Sequence, residues 1–224
     1  MINTSNVIQS TFRKVWHWEP LKFPEFSGLR IMMMPVRLGD LTGVPEQYKP
    51  MLEHLYGVTE HRFIKDGCIG YLTIDERELQ PGETLRRAGL HVDGYYHGQC
   101  GAWGGGGEDN PGGGWGSVGN GMLTVSSTAH CLAYLGTILG EPGPEGEADH
   151  LPLPELGTVF QAGDVYWVDG ACVHQSLPVE TLTKRQFVRL SMPSSGPWFE
   201  GYTPNPDSSI QPSGKILPRR NEFM

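Results

Sequence analysis

Short apolar runs, separated by glycine-rich and polar turns, recur along the chain between residues 67 and 193. Runs of this length that are rich in β-branched and aromatic residues predict strands. We predict eight of them, over residues 69–74, 90–92, 122–127, 132–135, 158–160, 165–168, 172–174 and 186–191. Many short strands with little helix between them are typical of a sandwich, a barrel or a jelly roll. The pattern therefore predicts a mainly β fold.

The segment that precedes residue 67 shows a different pattern, which predicts a region that supports the β core. Residues 29–34 are one more apolar run and are predicted as a buried strand. Residues 47–56 place their apolar side chains on one helical face, and Gly57 follows as a candidate C′ residue. We therefore expect a few helices to accompany the strand in this region.

The chain of 224 residues is long enough for one domain with a sizeable core, and no repeat or linker divides it. We predict a single domain, 1–224. Its parts are the N-terminal support region 1–66, the β core 67–193 and an extended tail, 194–224, with five prolines. The 31 glycines and 18 prolines of the chain agree with a fold that contains many turns.

Charge and cysteine content narrow the possible partners and compartment. The net charge is −8, and no basic run is longer than a pair of arginines, which disfavours a nucleic-acid partner. No secretory signal is apparent near the N-terminus, and the apolar run within residues 29–38 is too short to span a membrane. None of the four cysteines forms a Cys-x-x-Cys pair. We expect a soluble, cytoplasmic protein with reduced thiols and no membrane partner.

The candidate chemistry begins with His91-Val92-Asp93. On extended backbone, residues i and i+2 point to the same side, so His91 and Asp93 project together. His174 follows a strand and a tight Asp-Gly turn and is the best candidate for a third ligand. Two imidazoles and one carboxylate form the facial triad typical of non-haem Fe(II) oxygenases, which leaves coordination positions open. We therefore predict a metal site of His91, Asp93 and His174.

An anion-binding group is predicted a short hairpin beyond His174. Arg185 and Arg189 differ by an even number of positions, so alternation along a strand places them on one face together with Ser191. Guanidinium groups bind carboxylates in a bidentate fashion. We assign Arg185, Arg189 and Ser191 to co-substrate binding, and the sequence leaves open which arginine makes the direct contact. Arg86 and Arg87, just before the ligand segment, are candidates for receiving an anionic substrate.

From residue 67 to residue 193 the chain resembles the Fe(II)/2-oxoglutarate-dependent dioxygenases. The resemblance rests on the His-x-Asp motif, the distal histidine in Gly-Asp-Val-x-x-x-Asp-Gly-x-x-x-His, and the arginines that follow. It implies a double-stranded β-helix, or jelly roll. It implies Fe(II) held by His91, Asp93 and His174, and 2-oxoglutarate and O2 as co-substrates. Arg185 matches the commonest spacing in that family, whereas Arg189-Leu190-Ser191 matches a pattern of one branch.

The expected activity is hydroxylation of an unactivated C–H bond in a small molecule, with desaturation or cyclisation left open. One alternative is a protein side-chain hydroxylase of the same family. Another is a non-catalytic, cupin-like jelly-roll binding module, which would leave the arginines unexplained. Residues 94–121 are rich in glycine and directly follow the His-x-Asp motif, so they are a candidate lid over the site. The sequence does not indicate the oligomeric state.

Overall fold

A computed structural model of the chain describes residues 7–15, 19–58, 67–93, 121–144, 146–191, 198–213 and 216–218, and only the backbone at 95–96, 99–100 and 217. The described residues form a mainly β structure. Its strands are β1 Val7–Ser10, β2 Phe12–Lys14, β3 Arg30–Arg37, β4 Ile69–Leu79, β5 Tyr95–Tyr96, β6 Gln99–Cys100, β7 Met122–Ser126, β8 Cys131–Ala133, β9 Gly136–Leu139, β10 Thr158–Val159, β11 Tyr166–Val168, β12 His174–Ser176, β13 Thr183–Ser191, β14 Trp198–Phe199 and β15 Ile216–Leu217. A 3-10 helix, Glu46–Tyr48, leads into α1, Lys49–Val58.

The largest sheet has six strands in the order β2-β11-β7-β13-β4-β3, and every neighbouring pair is antiparallel. Strand β13 lies near its centre and pairs with β4 along its whole length, from Thr183 opposite Leu79 to Ser191 opposite Tyr71. Strands β2 and β3 belong to the N-terminal support region. This region therefore contributes strands to the sheet as well as the helix that packs on it.

The two faces of this sheet differ because successive side chains of a strand point in opposite directions. Val188 and Leu190 of β13 pack into a large apolar cluster with Leu52 and Leu55 of α1. The opposite face of β13 carries Arg185 and Arg189 and is lined by polar side chains of the neighbouring strands. The helix thus closes one side of the sheet and leaves the polar side to face a second layer.

The second layer is an antiparallel three-stranded sheet in the order β10-β8-β12. A separate apolar cluster includes Val92 and Val173, each of which lies next to a candidate metal ligand in the sequence. The inner side of the three-stranded sheet meets the six-stranded sheet where Met122 and Tyr166 contact Ala133 and its neighbours. The two sheets therefore form a β-sandwich, and a cavity lies between them.

Residues 198–218, where described, pack along the edge strand β3. The Trp198 indole Nε1 donates to the Met33 carbonyl at 2.8 Å, and the Asn205 side-chain amide donates to the Pro35 carbonyl at 2.9 Å. Trp198 also belongs to β14, which forms a short parallel pair with β15. Among the described residues, no helix is long and apolar enough to cross a membrane.

Several predicted elements differ from the observed ones. The strand expected at 90–92 is an isolated bridge at His91. The helix continues through Gly57 to Val58, because Gly57 keeps a helical backbone and does not adopt the left-handed cap. The described part of the support region holds one α-helix and one 3-10 helix, where a few helices were predicted. Seven strands in the described part of the chain were not predicted: β1, β2, β5, β6, β9, β14 and β15.

Candidate metal centre

The two histidines of the candidate centre are brought together by backbone pairing. His91 and His174 form an antiparallel bridge in which each backbone N–H donates to the other residue's carbonyl, at 2.9 and 3.0 Å. Directly opposed residues place their side chains on the same side of the ladder. The two imidazole centroids are accordingly 4.5 Å apart. His91 is buried, and His174 is half-buried.

Hydrogen bonds fix which ring nitrogen of each histidine faces the cavity. His91 Nδ1 lies 2.9 Å from the Gly89 carbonyl, and His174 Nδ1 lies 2.9 Å from the Cys172 carbonyl. Because a carbonyl only accepts, each Nδ1 must carry the hydrogen, and the lone pair of the neutral ring is then on Nε2. This arrangement of backbone partners is the usual way in which proteins orient histidines that bind metals.

Both Nε2 atoms point towards Asp93. His91 Nε2 lies 3.8 Å from Asp93 Oδ1, and His174 Nε2 lies 3.8 Å from Asp93 Oδ2. One ligand atom from each of the three residues lies within 4.8 Å of the others. The structure therefore brings together the three residues that the sequence predicted as a metal site.

The electrostatics of the cluster also suit a metal ion. Burial and the adjacent His174 together lower the pKa of His91 to about 4, so its ring is neutral at physiological pH. Burial alone would raise the pKa of Asp93. The Arg189 guanidinium and the two imidazoles outweigh that effect and hold the pKa of Asp93 well below its ordinary value. A neutral imidazole at His91 and an ionised carboxylate at Asp93 are protonation states that metal binding requires.

Arg189 forms an ion pair with the carboxylate of Asp93. Its Nη1 donates to Asp93 Oδ2 at 2.9 Å, and its Nη2 lies 3.2 Å from the Met33 sulfur. Met33 is buried and has a φ of +48°, an uncommon conformation for a residue with a side chain. The Thr73 hydroxyl and the Trp198 indole hydrogen-bond to its backbone and hold it in this position. The register of β3 against β4 shifts between Ile31 and Met34, and Met33 in this irregular stretch contacts Arg189, which the sequence did not reveal.

Arg185 has a different environment in the same cavity. It is 1% exposed, and its guanidinium donates to the hydroxyls of Ser126 at 3.1 Å and Ser176 at 3.0 Å. In the described part of the chain no carboxylate lies within ion-pair distance of it. Burial lowers the pKa of Arg185 to about 10, so the group stays charged at neutral pH. A buried cation with only neutral partners is suited to receive an anion.

Further hydroxyls line the same cavity as Arg185. Thr128 lines the cavity, and its buried Oγ1 has no hydrogen-bond partner among the described residues. Thr124 and Ser126 share a face of β7, as the alternation of side chains predicts, and both line the cavity. Ser176 lies on β12 at the second position after His174, so the same alternation could have identified it. The sequence analysis did not single out Ser176 or Thr128.

The remaining predicted residues are placed as follows. Arg86 and Arg87 line the cavity, and Arg87 pairs with Glu147 at 3.4 Å. Ser191 is buried on the same face of β13 as Arg189 but lies outside the described cavity lining. The candidate lid, 94–121, lies outside the described residues except for short backbone segments and Gly121.

Comparison of the chain with protein-family models, with curated proteins and with solved structures finds no match. The resemblance to the dioxygenases therefore rests on the sequence motifs and on the geometry of this site.

Proposed function

We propose that this chain is an Fe(II)- and 2-oxoglutarate-dependent dioxygenase that hydroxylates an unactivated C–H bond of a small molecule. The observation that carries the proposal is the combination of two features in one cavity. One is the cluster of His91, Asp93 and His174. The other is Arg185, a buried cation without a carboxylate partner among the described residues. In this proposal the β-sandwich is a double-stranded β-helix.

The donor set fits Fe(II) because it offers two imidazole nitrogens and one carboxylate and leaves coordination positions open for other ligands. A structural zinc site would be closed by four protein ligands, and the described residues supply three here. When bound, Fe(II) would supply the activation of O2 that is coupled to the decarboxylation of 2-oxoglutarate.

The protein's own residues have distinct tasks in this proposal. His91, Asp93 and His174 hold the metal, and Arg189 keeps Asp93 ionised and oriented. Arg185 binds the carboxylate of 2-oxoglutarate that lies away from the metal, because a buried guanidinium binds a carboxylate strongly in a medium of low dielectric constant. This choice between the two arginines follows from their partners, since Arg189 already pairs with Asp93, whereas Arg185 pairs only with hydroxyls among the described residues.

The apolar part of the cavity keeps water away from the reacting groups. Met122, Phe160, Tyr166 and Val168 line it and are all buried. Phe160 and Tyr166 stack with their ring centroids 3.9 Å apart and nearly parallel. A dry apolar wall beside a charged centre strengthens electrostatic interactions and favours an apolar portion of the substrate.

Calorimetric titration with Mn(II) and then with 2-oxoglutarate tests the proposal. We expect wild-type protein to bind 2-oxoglutarate only when metal is present. His174→Ala should lose metal and co-substrate together, whereas Arg185→Met should keep the metal and lose at least 100-fold in affinity for 2-oxoglutarate. His150→Ala, which changes an exposed histidine outside the cavity, is the matched control and should bind both. A wild-type protein that holds metal but ignores 2-oxoglutarate would contradict the proposal.

A further inference from the structure

Arg86 also lines the cavity that contains Arg185 and Arg189. Arg86 lies in the segment that connects β4 to His91, and its guanidinium carbon is 5.8 Å from the centre of the Phe187 ring. Phe187 lies between Arg185 and Arg189 on the same face of β13, and all four side chains line the cavity. The Arg86 side chain is 27% exposed, so solvent reaches part of it.

The charge of Arg86 is poorly compensated. Its ion-pair partner among the described residues is Asp75, 3.7 Å away. The same carboxylate is shared with Arg30 and Arg77, each of which lies 3.3 Å from it. One buried carboxylate therefore serves three guanidinium groups, and an excess of positive charge is left beside the cavity.

The other carboxylates of the cavity lining offset this excess only in part, since each already pairs with another cation, although Asp93 also attracts the Arg86 guanidinium. Asp93 pairs with Arg189, and Asp164 pairs with Lys14 at 2.5 Å. Neither lies within ion-pair distance of Arg86 in the described part of the structure. Net positive charge at a partly desolvated, apolar-lined opening attracts an anion more strongly than it would in open water.

The proposed co-substrate does not use all of this charge. One carboxylate of 2-oxoglutarate would bind at the metal and the other at Arg185, which leaves Arg86 with no more than its share of Asp75. We propose that Arg86 binds the anionic group of the primary substrate, which is therefore a small organic anion, either a carboxylate or a phosphate monoester. The guanidinium of Arg86 lies over the Phe187 ring, and its planar set of N–H donors can bind a carboxylate or a phosphate in a bidentate fashion. The inference rests on the proposed function, because it assigns the second ligand of the same site.

Aromatic anions and their neutral counterparts test this assignment. Protein saturated with Mn(II) and 2-oxoglutarate is titrated calorimetrically with benzoate, benzamide, phenyl phosphate and phenol. Saturation occupies Arg185, so the probes report on the remaining charge. We expect benzoate or phenyl phosphate to bind at least tenfold more tightly than its neutral counterpart. Tighter binding of benzoate would identify the substrate as a carboxylate, and tighter binding of phenyl phosphate would identify it as a phosphate monoester.

Two variants assign the effect to Arg86. Arg86→Gln should lose at least tenfold in affinity for the preferred anion and should keep its affinity for 2-oxoglutarate within threefold. Arg30→Gln is the matched control, because Arg30 shares Asp75 but lies outside the cavity lining. This control should bind both ligands within twofold of wild type.

Three results would overturn the assignment. The first is an anion that binds no better than its neutral counterpart. The second is Arg86→Gln protein that binds the preferred anion as wild type does. The third is Arg86→Gln protein that loses 2-oxoglutarate, since Arg86 would then belong to the co-substrate site. A wild-type protein that fails to bind 2-oxoglutarate in the first step refutes the proposed function itself, and the inference about Arg86 falls with it.

Discussion

Replacing Arg185 by methionine should stabilise the protein that carries no ligand. Burial lowers the pKa of Arg185 from 12.5 to about 10. At about 1.4 kcal/mol per pKa unit, keeping the guanidinium charged costs the folded state roughly 3 kcal/mol at neutral pH. Methionine would leave the hydroxyls of Ser126 and Ser176 without this donor, which costs about 1 kcal/mol each and offsets part of the gain. Methionine in the same space should therefore raise the free energy of unfolding by about 1 kcal/mol.

Urea unfolding at pH 7.5 measures this difference. The cost of the buried charge is fully present below pH 10 and is relieved as the pH rises from 10 towards 12.5, so neutral pH shows the full effect. Arg30→Met, which changes a side chain that is 57% exposed, is the control and should alter stability by less than about 0.5 kcal/mol. A loss of about 3 kcal/mol or more in Arg185→Met protein would refute the reasoning, because Arg185 would then be a structural residue.

The same protein samples report on binding. With Mn(II) and 2-oxoglutarate at 100 times its dissociation constant, wild-type protein should gain about 2.7 kcal/mol from the co-substrate. Arg185→Met protein should gain nothing from 2-oxoglutarate while still responding to the metal. Higher intrinsic stability together with lost ligand stabilisation is the pattern expected of a residue retained for binding.

Further predictions concern the support of the sheet. Burial alone would raise the pKa of Glu76, but hydrogen bonds from Tyr48 and from backbone N–H groups outweigh that effect and lower the pKa to about 2. The stability that the ionised carboxylate contributes is therefore lost as the pH falls from 4.5 towards 2. In urea unfolding between pH 6 and pH 3, the free energy of unfolding of wild type should fall by roughly 2 kcal/mol more than that of Glu76→Gln protein. Gly43 has a φ of +79°, and a Cβ there would overlap the Asn205 side chain, so Gly43→Ala should lower stability by at least about 2 kcal/mol. Gly28→Ala, with a similar φ and open space around it, should lose only about 1 kcal/mol, and equal losses in the two variants would contradict this account of how residues 198–213 are held.

The metal cluster could be predicted from the sequence because its geometry is mostly local. The His-x-Asp spacing places two ligands on one side of an extended segment, and this held although His91 forms only an isolated bridge. The approach of His174 depends on a pairing between distant segments. The sequence offered His174 as the best candidate for a third ligand without predicting this pairing, and the structure shows the pairing directly.

The roles of the arginines could not be predicted in the same way. Alternation along β13 places Arg185 and Arg189 on one face, and both line the cavity. The two arginines differ in their partners. Arg189 contacts Asp93 and Met33, whereas Arg185 donates to two serine hydroxyls. These partners come from distant strands, and no local pattern encodes them.

The missed strands have a related cause. Strand β1 is short and pairs with β9, which is far away in the sequence. Strand β2 is shorter still and pairs at the edge of the six-stranded sheet with β11. Short edge strands bury few side chains, so they leave a weak hydrophobic pattern, and their pairing is decided by the sheet that they join.

The most direct test of the central claim is an anaerobic absorption titration of the metal-free protein with Fe(II), with and without 2-oxoglutarate. The account predicts a visible charge-transfer band that requires both components, is absent in His174→Ala protein and is lost in Arg185→Met protein at the same 2-oxoglutarate concentration. Fe(II) that fails to bind, or that binds without any response to 2-oxoglutarate, would contradict the account.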